Sequence, residues 1–355
     1  MRTPRLFSVL AAGLAAAIGC NVHAAQKDSF SVCWTIYAGW MPWEYGAAQG
    51  IVDKWAKKYD IDIDVVQIND YVESINQYSA GGFDGCTMTN MDALTIPAAG
   101  GIDSTALVIG DFSNGNDGIV IKGEKQTLGD LKGQPVNLVE LSVSHYLLAR
   151  GLEKAGLSEK DLTVVNTSDA DLVAAFGTSD VKAVTTWNPL LAEVAATPKV
   201  TKVFDSSQIP GEIIDLMVVN SATLADNPAF GKALTGAWYE IMATMSADTA
   251  EGIAAREHMA KASGTDLAGY EAQLAATRMF YSAKDAVAFA TSPKLPATMS
   301  KVAEFSFAHG LLGEGAKSAD AIGMGFAKGI TTGDKGNLKL RFDPSFMQMA
   351  ADGTL

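Results

Sequence analysis

The sequence predicts an α/β protein of two lobes, each built on a parallel sheet, joined by two crossing strands and completed by a helical C-terminal region. Three observations carry this prediction. Short apolar runs alternate with helix-period stripes from residue 29 to residue 204, and strand-then-helix repeats dictate parallel strands linked by crossover helices. A polar, turn-rich stretch, G-D-F-S-N-G-N-D-G at residues 110–118, breaks the series in two. The chain has 355 residues, 48% of them hydrophobic and 19% charged, a globular composition longer than one compact core usually spans.

The chain opens with M-R-T-P-R, continues L-F-S-V-L-A-A-G-L-A-A-A-I-G and reaches V-H-A-A. A basic region, an apolar region and small residues in that order make a secretory signal, too short to span a membrane. Residues 1–24 are therefore expected to be removed by cleavage after Ala24. Lipidation at Cys20, within A-I-G-C, is the alternative, although the Leu usual three residues before such a cysteine is missing. Without Cys20, Cys33 and Cys86 are the remaining thiols; in an oxidising compartment they either pair or stay buried as free thiols.

Residues 29–36 alternate polar and apolar and read as a strand, punctuated by Gly39 and Pro42. Beyond Pro42, the residues Trp43, Ala47, Ile51, Trp55 and Tyr59 recur every four positions, one face of an amphipathic helix that Pro42 suits at its first turn. A second strand covers residues 61–68. Asn69 and Asp70 then cap a helix carrying Val72, Ile75 and Tyr78, which Gly81 and Gly82 close. Residues 83–88 form a strand, Thr89 or Asn90 caps a helix over 91–99, and 106–109 is a further strand. The first lobe thus takes residues 25–117.

Residues 118–213 form the second lobe. Its strands are expected at 119–121, 136–139, 162–165, 181–185 and 200–204. Helices fall between them: one with Leu147, Leu148 and Leu152 on a face, one at 170–176 and one opened by Pro189. The apolar run I-I-D-L-M-V-V-N at 213–220 brings the chain back. Residues 214–355 then return to the first lobe and become helical, notably at 230–245 and 267–281, and the tail F-D-P-S-F-M-Q-M is read as a packed helix.

In open α/β sheets ligands bind beyond the carboxyl ends of the strands. The loops there are 37–44, 68–72, 87–92, 140–145 and 186–189, and not one contains Lys or Arg. They hold Trp40, Trp43, Glu44, Asp70, Asn90, Asp92, Glu140, Ser142 and Trp187, and Asp215 lies on the returning strand. Carboxylates beside aromatic rings suit a small planar cation, with ring faces for its charge and carboxylates for its N–H groups. Asp70 and Asp92 have a plainer use at helix starts, as does Ser142 as a cap. Glu140, directly after an apolar strand, is the first choice for a ligand contact. Asp215 is the second, because a carboxylate among apolar neighbours is costly to bury unpaired. The net charge is −13 and no basic run exceeds the pair Lys57 and Lys58, so neither nucleic acid nor an anionic membrane is an expected partner.

The order of these segments, together with W-M-P-W-E-Y-G-A-A-Q-G-I at 40–51, S-A-G-G-F-D-G-C-T-M-T-N-M-D-A-L at 79–94 and A-V-T-T-W-N-P-L-L at 183–191, resembles the solute-binding proteins of ABC importers. The resemblance is to the branch that holds nitrate-, sulfonate-, taurine- and thiamine-precursor-binding proteins, within it most to the urea carboxylase-associated urea and guanidine group. It implies a bilobal periplasmic-binding-protein type II fold, a ligand in the cleft between lobes, delivery to an ABC permease and its ATPase, a monomer in the periplasm, and neither catalysis nor a cofactor. Guanidinium or urea is the ligand this implies; sulfonates, nitrate and pyrimidines are the alternatives.

A secreted hydrolase would need a nucleophile and a base in reach. Ser144 and His145 are neighbours on a helix and do not face each other, and no G-x-S-x-G elbow occurs. His145, His258 and His309 are the histidines beyond the signal, and without H-E-x-x-H or paired cysteines no metal site is expected. G-M-G-F-A-K-G at 323–329 lacks the dinucleotide-binding spacing and is read as helix and loop packing.

Overall fold

A computed structural model describes residues 27–355; the signal-like stretch 1–24 lies outside them. Ten strands run in chain order through the region read as strand and helix: β1 Ser29–Trp34, β2 Asp62–Gln67, β3 Gly85–Thr89, β4 Ser104–Ser113, β5 Asp117–Lys122, β6 Pro135–Leu138, β7 Thr163–Asn166, β8 Ala183–Trp187, β9 Val200–Asp205 and β10 Ile214–Asn220. They build two sheets. In the first, β4, β10, β3, β1 and β2 are neighbours in that order; in the second the order is β7, β6, β8, β5, β9.

The apolar runs that alternate with helices pair in parallel, β1 with β2 and β3, and β6 with β7 and β8. The strands that link the sheets do not. β10 runs antiparallel to both β3 and β4, and β5 antiparallel to β8 and β9. Each sheet is therefore mixed, because a strand arriving from the other sheet enters from the opposite end. The links between the sheets, 114–116 and 206–213, are fastened to each other. Ser113 N donates to Ile213 O at 3.0 Å, the Ser113 and Ser206 hydroxyls are 2.6 Å apart, and Gly115 N donates to Ser206 Oγ at 2.7 Å.

Several elements depart from their sequence reading. The stripe from Trp43 to Tyr59 is two helices, Met41–Ala48 and Ile51–Lys58, because Gly50 takes φ 70° between them, a left-handed conformation that glycine adopts freely. β4 continues through Asp111 to Ser113, so half of the turn-rich stretch is strand. Gly110 makes this possible, since a β-carbon there would press on the Trp238 ring at 2.9 Å. The helix read at 267–281 stops at Ala275 and gives way to the strand Thr277–Met279, which pairs with β4. The C-terminal region is not wholly helical either: Gly323–Gly325, Thr331–Thr332 and Leu338–Phe342 extend the first sheet, Leu338–Phe342 lying beside β4. The tail does form a helix, Ser345–Ala351. Cys33 and Cys86, opposite each other on β1 and β3, are joined as a disulfide.

Candidate ligand-binding site

Where the two sheets face each other, a small pocket is lined by Tyr37, Trp40, Tyr71, Thr89, Asp117, Val143, Trp187, Ile213 and Asp215. Its construction follows from strand pairing. Asp215 on β10 lies opposite Thr89 on β3, and Asp117 on β5 lies opposite Trp187 on β8. Residues directly opposite on antiparallel strands share a face with β-carbons about 4.5–5.5 Å apart, so each sheet contributes one such pair. The space left among these side chains is about that of one water molecule.

The apolar part is a chain of rings. Tyr37 and Trp40 meet edge to face at 5.1 Å between centroids, Trp40 and Tyr71 at 5.7 Å, and Tyr71 and Trp187 edge to face at 5.6 Å. The indole N–H of Trp40 is buried without a protein partner. Trp187 lines both this pocket and a wider outer cleft that includes Ile36, Asn69, Asp169, Pro189, Glu193 and Gln273. Among the described residues, no Lys or Arg lines either space.

The polar part is acidic and dry. Asp111 on β4 lies opposite Asp215 on β10, on the side of Asp215 away from Thr89. Asp92, Asp111, Asp117 and Asp215 are all 3% exposed or less. Tyr37 donates to Asp111 at 3.3 Å, while Oδ2 of Asp111 and Oδ2 of Asp215 meet no N–H, hydroxyl or basic donor in the protein. A β-carbon at Gly39 would collide with the Asp111 carboxylate and the Tyr37 ring, which is why the loop after β1 carries glycine there. Burial raises Asp111 against hydrogen bonds from Asp215 and then Tyr37, and pushes Asp117 up to about 7 against a hydrogen bond from Ser113. Asp215 is raised further, by burial and then by the charge of Asp111 and its hydrogen bond. Burial also raises Asp92 to about 6, although Tyr71 donates to it at 2.6 Å, Thr89 at 2.8 Å, and the Val143 N–H favours its ionised form.

Of the residues read from sequence, Trp40, Trp187 and Asp215 line the pocket, and Asp92 stands directly behind Tyr71 and Thr89. The others lie elsewhere. Trp43 is in the core, 5.1 Å from Trp238 between ring centroids, because the first turn of its helix points it at the helix Pro228–Ser246. Glu44 meets His258 at 2.9 Å. Asp70 caps its helix by accepting from Glu73 N at 2.8 Å, and Ser142 caps the helix Val143–Lys154. Asn90 is tied to the chain entering β10, donating to Glu212 O at 3.1 Å and accepting from Ile214 N at 3.0 Å. Glu140 is exposed: β6 ends at Leu138, and the left-handed turn at Leu141, φ 64°, leaves it in solvent.

Tyr37, Tyr71, Asp111 and Asp117 were not legible as site residues. The two aspartates sit in the stretch read as a turn, where acidic residues are ordinary. The signal that marks them is the spacing: Asp111 follows the apolar run 106–109 by one glycine, and Asp117 precedes the apolar run 119–121 by one.

A second cluster joins segments on either side of the links. His145 Nε2 is 2.9 Å from Glu159 Oε1, and His309 Nε2 is 2.8 Å from Glu159 Oε2. His145 Nδ1 accepts from Leu141 N at 3.1 Å, which puts its ring proton on Nε2; His309 Nδ1 faces the Phe305 carbonyl at 2.8 Å and must donate. A metal would need a lone pair on each Nε2, which the Leu141 bond denies His145. The cluster is an ion-pair clasp. Burial would raise Glu159, but hydrogen bonds from His145 and His309 hold it down to about 2, and the Glu159 hydrogen bond raises His309 above its usual range. The raised His309 contributes stability that is complete below its unfolded value of about 6.5 and lost as pH climbs through the folded one; the depressed Glu159 contributes above about 4.5 and loses it toward 2. The difference in melting temperature between wild type and His309→Ala is therefore expected to be greatest between about pH 4.5 and 6.5 and to shrink in alkali. A difference that grows with alkali would exclude the clasp.

The NMT1/THI5 like family model matches residues 53–248, more than half of the chain. Among solved structures, the chain is similar to the alkanesulfonate-binding protein SsuA of Xanthomonas axonopodis pv. citri bound to MOPS, with 17% identity and a TM-score of 0.65 over 82% of this chain and 96% of that one. It is similar to the aliphatic sulphonate-binding protein SsuA of Escherichia coli, with 18% identity and a TM-score of 0.66 over 81% and 94%. It is also similar to the nitrate-binding protein NrtA of Synechocystis PCC 6803, with 13% identity and a TM-score of 0.57 over 93% and 99%. The fold is thus the two-lobed α/β fold of periplasmic binding proteins, and likeness at this identity is one of fold alone. A curated relative from Brucella abortus (strain 2308), named only as a binding protein, is 25% identical over 138 residues, 39% of this chain. That stretch spans 42% of the relative's own length.

Proposed function

Since the chain belongs to the NMT1/THI5-like family, we propose that it is an extracytoplasmic solute-binding protein that captures a small planar nitrogen-rich solute between its lobes, the guanidinium cation first and neutral urea second, and delivers it to an ABC permease and its ATPase. The observation that carries this reading is a pocket of four aromatic rings over buried carboxylates with no Lys or Arg among its lining residues. A guanidinium ion presents a flat fork of N–H donors that carboxylates accept while ring faces cover its plane. Its charge offsets the cost of ionised carboxylates in a dry site. Urea has the shape without the charge, and its oxygen would meet the free N–H of Trp40. The space as it stands holds about one water, so an ion the size of guanidinium needs the lobes to part, and the lining from both sheets makes hinge motion about the two links the route of entry.

The fold relatives named for sulfonates and nitrate support a second reading, an anionic ligand. Such a ligand would rest on backbone N–H groups at helix starts. Here the start of the helix Val143–Lys154 already faces Asp92. Titration calorimetry of the purified protein against guanidinium, urea, taurine, an alkanesulfonate and nitrate tests the reading. Guanidinium is expected to bind most tightly and the anions not at all; tight binding of an anion with none of guanidinium overturns it.

A further inference from the structure

We infer that capture of the cation is an exchange: the carboxyl pair Asp111–Asp215 holds one proton in the empty protein, and the ligand expels it to solvent as it binds. The inference rests on the cation reading above and concerns how that same pocket is charged when empty.

The geometry is that of two acids without a base. Asp111 and Asp215 are directly opposite on β4 and β10 and share a face of the sheet. Asp111 is fully buried and Asp215 is 3% exposed. The titratable groups that act on the pair are phenols and acids. From the loop after β1 comes Tyr37, whose hydroxyl donates to Asp111. From β5 comes Asp117, itself near Asp92, and from the region after β10 come the hydroxyls of Tyr270 and Tyr281, both within the field of Asp111. All of these are neutral or acidic. Two carboxylates this close in a dry site cannot both be ionised without a counter-charge, so one proton is shared between them. Only Asp215 of the pair lines the pocket. A guanidinium placed there supplies the missing positive charge, so the proton leaves and the charge of the site is conserved.

The linkage has a direct measure. Binding must tighten as pH rises, by up to about tenfold per pH unit while the empty pair keeps its proton. Guanidinium titrations at pH 8, above the value near 7 at which Asp117 itself titrates, in buffers of different ionisation enthalpy should show about one proton released per ligand bound. Asp111→Asn removes the partner that shares the proton while leaving Asp215 in the pocket. It should still bind guanidinium but release a smaller fraction of a proton with a flatter pH slope, because Asp215 loses the charge and hydrogen bond of Asp111 while keeping its burial. Asp117→Asn should bind more weakly yet still release the proton. Guanidinium binding without proton release, or release that is undiminished in Asp111→Asn and vanishes in Asp117→Asn, overturns the exchange and leaves the cation reading standing. A wild type that binds no guanidinium overturns both.

Discussion

Asp215→Asn is expected to weaken guanidinium binding by about thirty-fold to a few thousand-fold at pH 8, which corresponds to roughly 2–5 kcal/mol for a charged hydrogen-bonding contact in a desolvated site. Asp215 lines the pocket without a basic partner, and its Oδ2 meets no N–H or hydroxyl donor within the protein. An asparagine there keeps the shape and replaces one acceptor by a donor, which an all-donor ligand cannot use. Urea has an acceptor of its own and should lose far less. Trp187→Ala should weaken both ligands, by about tenfold or more for guanidinium, because a desolvated cation over an indole face is worth about 2 kcal/mol. Glu140→Gln should change neither, since Glu140 stands in solvent. Unaltered guanidinium affinity in Asp215→Asn would remove the carboxylate from the site.

What the sequence discloses about the fold and what it hides have the same source. Parallel strands buried on both faces are short apolar runs, so β1, β3, β6 and β8 stand out, and the helices between them carry their own period. Strand direction leaves no such trace: nothing in I-I-D-L-M-V-V-N says that β10 enters its sheet antiparallel. The pocket depends on that direction, because it sets Asp215 between Thr89 and Asp111. Loop chemistry was legible where a residue acts alone, as with Asp70 and Ser142 at helix starts. It was illegible where the partner is far along the chain. Asn90 answers to residues more than a hundred positions away, at 212 and 214, and Glu44 to His258. The absence of Lys and Arg from the cleft loops did carry through, because it is a property of composition and needs no partner.

Trp43 and Trp187 separate stability from binding. Trp43→Ala is expected to destabilise the protein by about 3–5 kcal/mol, the cost of emptying a buried aromatic site, and to lower the melting temperature by roughly 4–7 °C in a chain of this size. Trp43 is 1% exposed and lies 5.1 Å from Trp238 between ring centroids, where Trp238 in turn packs against Gly110 at the bend that carries Asp111 into the sheet. Heat is the right denaturant, since urea and guanidinium are candidate ligands and would stabilise the folded state as they dissolve it. Measured well below its melting temperature, Trp43→Ala should bind guanidinium within about twofold of the wild type, whereas the ring is lost from the ligand itself in Trp187→Ala. Trp43→Phe should recover part of the stability by refilling the site with a smaller ring. A Trp43→Ala protein that melts like the wild type and has lost guanidinium binding would move Trp43 from the core to the pocket, contrary to the packing of the first helix.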